Sequence, residues 1–234
     1  VYISIVLALS IHTVTAFMLA VNPARPMWFH SMMPIRFITT AFAAGPALII
    51  IAFLIIRNNT KMWIEDSAIK LLTTIVIWCL GLAIFLTLSE IVIELYARTE
   101  HANSLYYLMF GLHGLTALVP WFWSSVVLMV GAFALFMTPK FRNDMKLLPI
   151  PCAMAFVGIW IEKGMGLIVP GFIPSPIGEV TEYYPTFVEW VMTLGIWAFG
   201  FFILTILLKG AIGILLGEVR FGGTAPAASA AAVH

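Results

Sequence analysis

The sequence predicts an all-α fold, a polytopic transmembrane bundle of six helices, and three observations carry the prediction. Hydrophobic residues make up 62% of the 234-residue chain and charged residues only 10%, with a mean hydropathy of +1.05. Six apolar stretches each reach the roughly 20 residues that a helix needs to cross bilayer hydrocarbon. None shows the polar alternation of a barrel strand, and in lipid every backbone amide must be satisfied internally, so helices are required. Soluble and disordered classes are excluded together.

The spans are expected at about 1–21, 36–56, 69–96, 112–137, 147–168 and 187–216, with residues 1–220 forming the bundle and 221–234 a flexible Ala-rich tail. The first opens directly at Val1, with no charged leader and no small-residue cleavage site, so an incomplete chain preceded by further helices is expected. Spans two and four carry Gly45-Pro46 and Pro120, and each proline should kink its helix. Packing is the default explanation for Trp121, Phe122 and Trp123 beside Pro120, the alternative being a flat ring ligand between them. Span three ends on the stripe Glu90, Glu94, Arg98. After span five come Glu162 and Lys163, then glycines and prolines as far as Pro176, so the chain should leave helical geometry and run extended over the outer face. Thr186 and Glu189 have capping-box spacing and should restart the helix as span six.

Lys and Arg crowd onto alternate connections. Arg57, Lys61, Lys70, Lys140, Arg142, Lys146, Lys209 and Arg220 fall on one side, against Arg25, Arg36, Arg98 and Lys163 on the other. The positive-inside rule then places the C-terminus in the cytoplasm. A net charge of +1 without a basic cluster gives no reason to expect nucleic acid.

Cofactor chemistry narrows next. Cys79 and Cys152 are isolated, far short of the thiolate set an iron-sulfur cluster needs, and read as small buried hydrophobes. Of the histidines, only His12 and His113 lie in or at the edge of spans. His12 should sit roughly 15 Å below the outer end of its helix while His113 starts another near the surface, which argues against a shared haem. No metal site is expected.

The candidate proton-relay or quinone-site residues are His12, Glu90, Glu94, Arg25 and Arg36. Glu90 is the sharpest, because a carboxylate one turn deeper than the interface needs a partner or a proton. Glu94 can pair with Arg98 at the surface. Arg25 and Arg36 are either snorkelling anchors or the partner of Glu90 or of a polar headgroup. His12 is either a hydrogen-bonded bundle histidine or part of proton handling. On the last outer loop, Glu162, Lys163, Glu179, Glu182, Tyr183 and Tyr184 are candidates for docking an extramembrane partner, the alternative being a simple lid.

The stretches IHTVTAFMLAVNPARPMWF, SEIVIELYARTEH and above all WIEKGMGLIVPGFIPSPIGEVTEYYPT, followed by EWVMTLGIWAFG, resemble the NrfD and PsrC type membrane subunits. The likeness is nearest to the DsrP group of DsrMKJOP sulfur-metabolism complexes. It implies a C-terminal six-span part of a bundle of about ten spans. It implies electron exchange between membrane menaquinone and a periplasmic ferredoxin-like iron-sulfur subunit, in the cytoplasmic membrane of a prokaryote. Further implied partners are cytochrome b, cytochrome c and a heterodisulfide-reductase-like catalytic subunit. It also implies that most of the quinone pocket lies in helices earlier than these.

The competing class is an ion or small-solute transporter, with the same acids and broken helices along a path. Gly45-Pro46 and Pro120 are only a weak echo of a paired repeat. A retinal-type reading from Lys209 lacks an intramembrane aspartate.

Overall fold

Hydropathy marks the long helices, and the computed structural model adds the shorter turns that hold their ends; it describes residues 2–97, 102–173, 175 and 178–217. In order these are α1 (Tyr2–Ala20), α2 (Met33–Asn59), α3 (Asp66–Ala97), α4 (Ala102–Phe110), α5 (Val119–Met137), α6 (Pro139–Asn143), α7 (Pro149–Lys163) and α8 (Phe187–Leu215). Among the described residues six helices are long and apolar enough to cross a membrane: Tyr2–Ala20, Met33–Asn59, Asp66–Tyr96, Val119–Met137, Pro149–Phe172 and Phe187–Leu215. The Ala-rich tail at 221–234 and Arg98 lie outside the described residues.

Proline marks helix starts more than kinks. It occupies the first or second position of α2, α5, α6 and α7, where its missing N–H would have had no intrahelical acceptor. Pro120 is one of these, so the kink expected there is instead a start. The helix expected from about 112 begins at Val119 because a tight turn precedes it. Gly111 and Gly114 sit at φ 84° and His113 at φ 53°, closed by Leu112–Leu115 backbone bonds of 3.1 and 2.9 Å. At Gly111 a Cβ would meet the Leu115 carbonyl oxygen at 2.6 Å. Pro46, by contrast, does stand inside α2 and removes a donor from its ladder.

A second correction concerns the end of α7. The chain does not leave helical geometry at Lys163. Gly164–Ile168 forms a π-helical turn, closed by Val169 N donating to Gly164 O at 3.1 Å, and Pro170–Phe172 forms a 3₁₀ turn. Helical backbone therefore continues to Phe172.

The chain divides into two units, Val1–Tyr184 and Pro185–His234. In the first, α2 packs against α1, α3 and α7, and α5 against α7 and α3. Gly158 of α7 lets α5 approach closely, since a Cβ there would lie 3.0 Å from Leu128. One apolar core gathers at the end of the bundle where the loop after α1, helix α4, the start of α5 and the turns after α7 meet, and includes Met27, Trp28, Met33, Tyr107, Leu118, Phe122, Leu167 and Ile173. Of the cysteines Cys152 is buried, whereas Cys79 is only half-buried, on a helix whose neighbouring Trp78 is exposed. The second unit begins with the expected capping box: Glu189 N donates to the Thr186 hydroxyl, and Thr186 N donates to the Glu189 carboxylate at 2.6 Å.

Candidate functional site

The loop between α1 and α2 is pinned before it reaches the site. Trp28 Nε1 donates to the Leu167 carbonyl at 2.9 Å, and its ring meets Phe172 edge-on at 4.9 Å. Gly171 makes this possible, because a Cβ there would fall 1.9 Å from the Trp28 indole nitrogen. Arg25 donates to the Phe172 carbonyl at 3.2 Å and lies 5.0 Å over the Phe172 ring. Ser104 of α4 donates to the Ile173 carbonyl at 2.8 Å. These contacts fasten the turn after α7 to the loop carrying His30.

Five ionisable side chains then meet where the helices end. The Arg36 guanidinium, in the first turn of α2, donates from Nη1 to Glu90 of α3 and from Nη2 to Glu162 of α7. His30 Nε2 lies 3.1 Å from the other Glu90 oxygen, and Lys163 Nζ lies 3.3 Å from the other Glu162 oxygen. Lys163 also sits 4.4 Å over the Phe37 ring. Arg36 is 4% exposed and Glu162 5%. Charges that deep survive only when paired, and here two cations, Arg36 and Lys163, face two carboxylates, Glu90 and Glu162.

The cluster has two outlets of different character. Inside it lies a small cavity of about 30 Å³, bordered by Arg36, Glu90, Glu162, Thr87 and Ser125. Among the described residues Arg36 Nε is buried without a hydrogen-bond partner. Space and polarity suit one or two waters there. On the other side Lys163 lines an open groove of about 290 Å³ together with His12, Phe37 and Thr40. His12 and Ala41 also border a more apolar groove of about 340 Å³ that runs along α1 and α2 past Gly45 and Pro46.

The sequence-derived candidates separate accordingly. Arg36 and Glu90 join the cluster. His12 is exposed in the groove, its Nδ1 3.0 Å from the Ala8 carbonyl of its own helix. Arg25 serves the Phe172 turn instead. Glu94 is half-buried and, among the described residues, makes none of these contacts. Glu162 and Lys163 do not belong to a docking rim, because helical backbone continues past them and carries both into the cluster. Glu179, Glu182 and Tyr184 are exposed and Tyr183 is half-buried. Glu182 accepts from Thr116 N at 2.8 Å and from the Tyr184 hydroxyl at 3.1 Å, and that bond pushes the Tyr184 phenol up. His30 was missed. The signal available was its place between a tryptophan anchor and Arg36, opposite carboxylates needing partners. Among the described residues no group of three His, Cys, Asp or Glu is placed to hold a metal ion.

Bundle and site together define a multi-pass helical membrane protein whose charged residues are paired inside the bundle at one end. Residues 1–174 match the family described as polysulphide reductase, NrfD, and the chain belongs to that family. It is also similar to a selenate reductase subunit of Mesobacillus selenatarsenatis, 22% identical over 200 residues, which cover 81% of this chain and 45% of that protein. The chain spans less than half the length of that relative.

Proposed function

We propose that the chain is the quinone-linked membrane subunit of a respiratory oxidoreductase complex. In this reading it exchanges electrons between menaquinol or menaquinone and an extracytoplasmic iron-sulfur partner, and its side chains release or relay the protons. The observation that carries the reading is a run of ionisable groups from the open groove to the outer loop. His12 and Lys163 line the groove, Lys163 touches Glu162, Arg36 bridges Glu162 to Glu90, and Glu90 meets His30, whose side chain is 21% exposed.

The groove suits a flat polar ring with an apolar tail. Lys163, His12 and Thr40 offer polar atoms at one end, and the neighbouring groove past Gly45 and Pro46 is apolar apart from His12. Quinol oxidation supplies protons along with electrons. Glu162 is placed to accept a proton by way of Lys163, whose ammonium gives one up to it and is recharged from the groove, while Arg36 holds both carboxylates in register and Glu90 with His30 passes the proton outward. The exposed Glu179, Glu182 and Tyr184 form the docking rim for the iron-sulfur partner. The assembly is of the DsrP type, with cytochrome b, cytochrome c and a heterodisulfide-reductase-like subunit, in a prokaryotic cytoplasmic membrane with the C-terminus inside.

The test is Glu90→Gln in the assembled complex. Quinone-linked electron transfer should fall about 100-fold, while the subunits still co-purify and Glu90→Asp restores part of the rate. Unchanged turnover in an intact complex would remove Glu90 from the mechanism. Solute flux into proteoliposomes without redox partners, lost in the same variant, would favour a transporter.

A further inference from the structure

The opposite end of the bundle carries a second built feature that electron transfer does not use. Where α2 ends and the turn before α7 begins, a pocket of about 750 Å³ is bordered by Arg57, Asn58, Asn59 and Lys146, with Ile51 and Leu54 on its deeper wall. Among the described residues no carboxylate lines it. Asp66 takes Nη1 of Arg57, and the guanidinium sits 5.6 Å over the Trp63 ring, so its direction is fixed while its side chain stays 31% exposed. Asn59 spends its amide on the Ile55 carbonyl at 2.8 Å, but among the described residues Asn58 and the Lys146 ammonium have no partner of their own.

The vertical arrangement gives the ligand its shape. Arg57 lies in the last turn of α2, at the height where a bilayer places its headgroups. Leu54 and Ile51 lie roughly 5 and 9 Å deeper at 1.5 Å per residue, in the hydrocarbon. Cations and a carboxamide above an apolar wall match a phosphate with an attached acyl chain, whereas free phosphate would gain nothing from Ile51 or Leu54. Basic pockets between helices on the cation-rich side of a membrane are suited to anionic headgroups.

We propose that this pocket binds an anionic phospholipid of the leaflet on the cation-rich side, its phosphate held by Arg57, Lys146 and the Asn58 amide and one acyl chain lying along Leu54 and Ile51. The site is independent of the groove at His12.

Native mass spectrometry of the full protein from nanodiscs containing equal phosphatidylglycerol and phosphatidylcholine, matched in acyl chains, tests it. Phosphatidylglycerol should be retained at least fivefold over phosphatidylcholine, and Lys146→Gln should cut that preference about fivefold, as expected for one cation near a headgroup. Lys146 is exposed, so this variant keeps its fold; Arg57→Gln, which also frees Asp66, serves as a second arm. Equal retention of the two lipids, or full preference in both variants, overturns the proposal. Displacement of phosphatidylglycerol by millimolar inorganic phosphate overturns the lipid assignment in favour of a free anion.

Discussion

Helix α2 carries an arginine against a carboxylate at each end, and the two pairs are physically unlike. At the loop-rich end Arg36 is 5% exposed in its side chain, with Glu90 at 14% and Glu162 at 6%. At the other end Arg57 is 31% exposed and Asp66 49%. Contact between the charged atoms is the same in kind; the surroundings decide what it is worth. Water screens the Arg57 pair and takes over when it opens, so it contributes little. The Arg36 cluster has given up that water, so each member depends on the others. A buried ionic group with a groove on one side and a half-buried histidine on the other is what the proposed function rests on; a wet pair beside a loop is an anchor.

The hardest way to break that comparison is Arg36→Met. It leaves Glu90 and Glu162 facing one another with no cation between them, which should cost about 3–5 kcal/mol of stability, read as a fall in the unfolding midpoint in detergent. Adding Glu90→Gln to Arg36→Met should recover most of the loss, because Glu162 keeps Lys163 and no buried carboxylate is then left unpaired. A loss below about 1 kcal/mol for Arg36→Met alone would mean that the cluster is as wet as the opposite end.

How much of this the sequence disclosed follows from the same physics. Six apolar runs marked six long helices, because hydrocarbon imposes both length and composition on a span. Glu90 stood out as a carboxylate too deep to leave alone, and Arg36 as a cation on the side poor in them. What was not legible was the partnership. Glu162 and Lys163 are followed by glycines and prolines, which locally signal a loop, yet Gly164 and Gly166 build a π turn that keeps the helix going and turns both side chains inward. His30 is written in a loop and acquires its role only because Trp28, near it in sequence, is anchored on Leu167, a contact across 139 positions. Pro120 misled because a proline that starts a helix and one that kinks it read alike until the preceding turn is seen. The burial of Arg36 and Lys163 also sharpens the orientation argument, since neither is a loop cation in the sense of the positive-inside rule.

A gentler change at the same end sharpens the contrast. Gly171→Ala puts a methyl group where the Trp28 indole lies, so Trp28 must withdraw and lose its bond to Leu167 O. Overpacking of this kind costs about 1–3 kcal/mol. Because Trp28 positions the loop bearing His30, quinone-linked turnover should fall further than stability alone explains. Trp28→Ala in the Gly171→Ala background removes the clash, and should leave turnover low if the anchor matters and restore it if only the clash did.

The smallest expected effect is at the other arginine. Arg57→Gln should cost less than about 1 kcal/mol, and the cost should shrink further as salt is raised, since partly exposed charges are screened over about 8–10 Å at physiological ionic strength. A double-mutant cycle with Asp66→Asn isolates the pair from the Trp63 contact that Arg57 also makes. A coupling energy of a few tenths of a kcal/mol, falling with salt, matches an exposed pair. Coupling above about 2 kcal/mol that ignores salt would mean that a neighbouring protein shields this end and dries it, and the two ends of α2 would then differ in chemistry but not in environment.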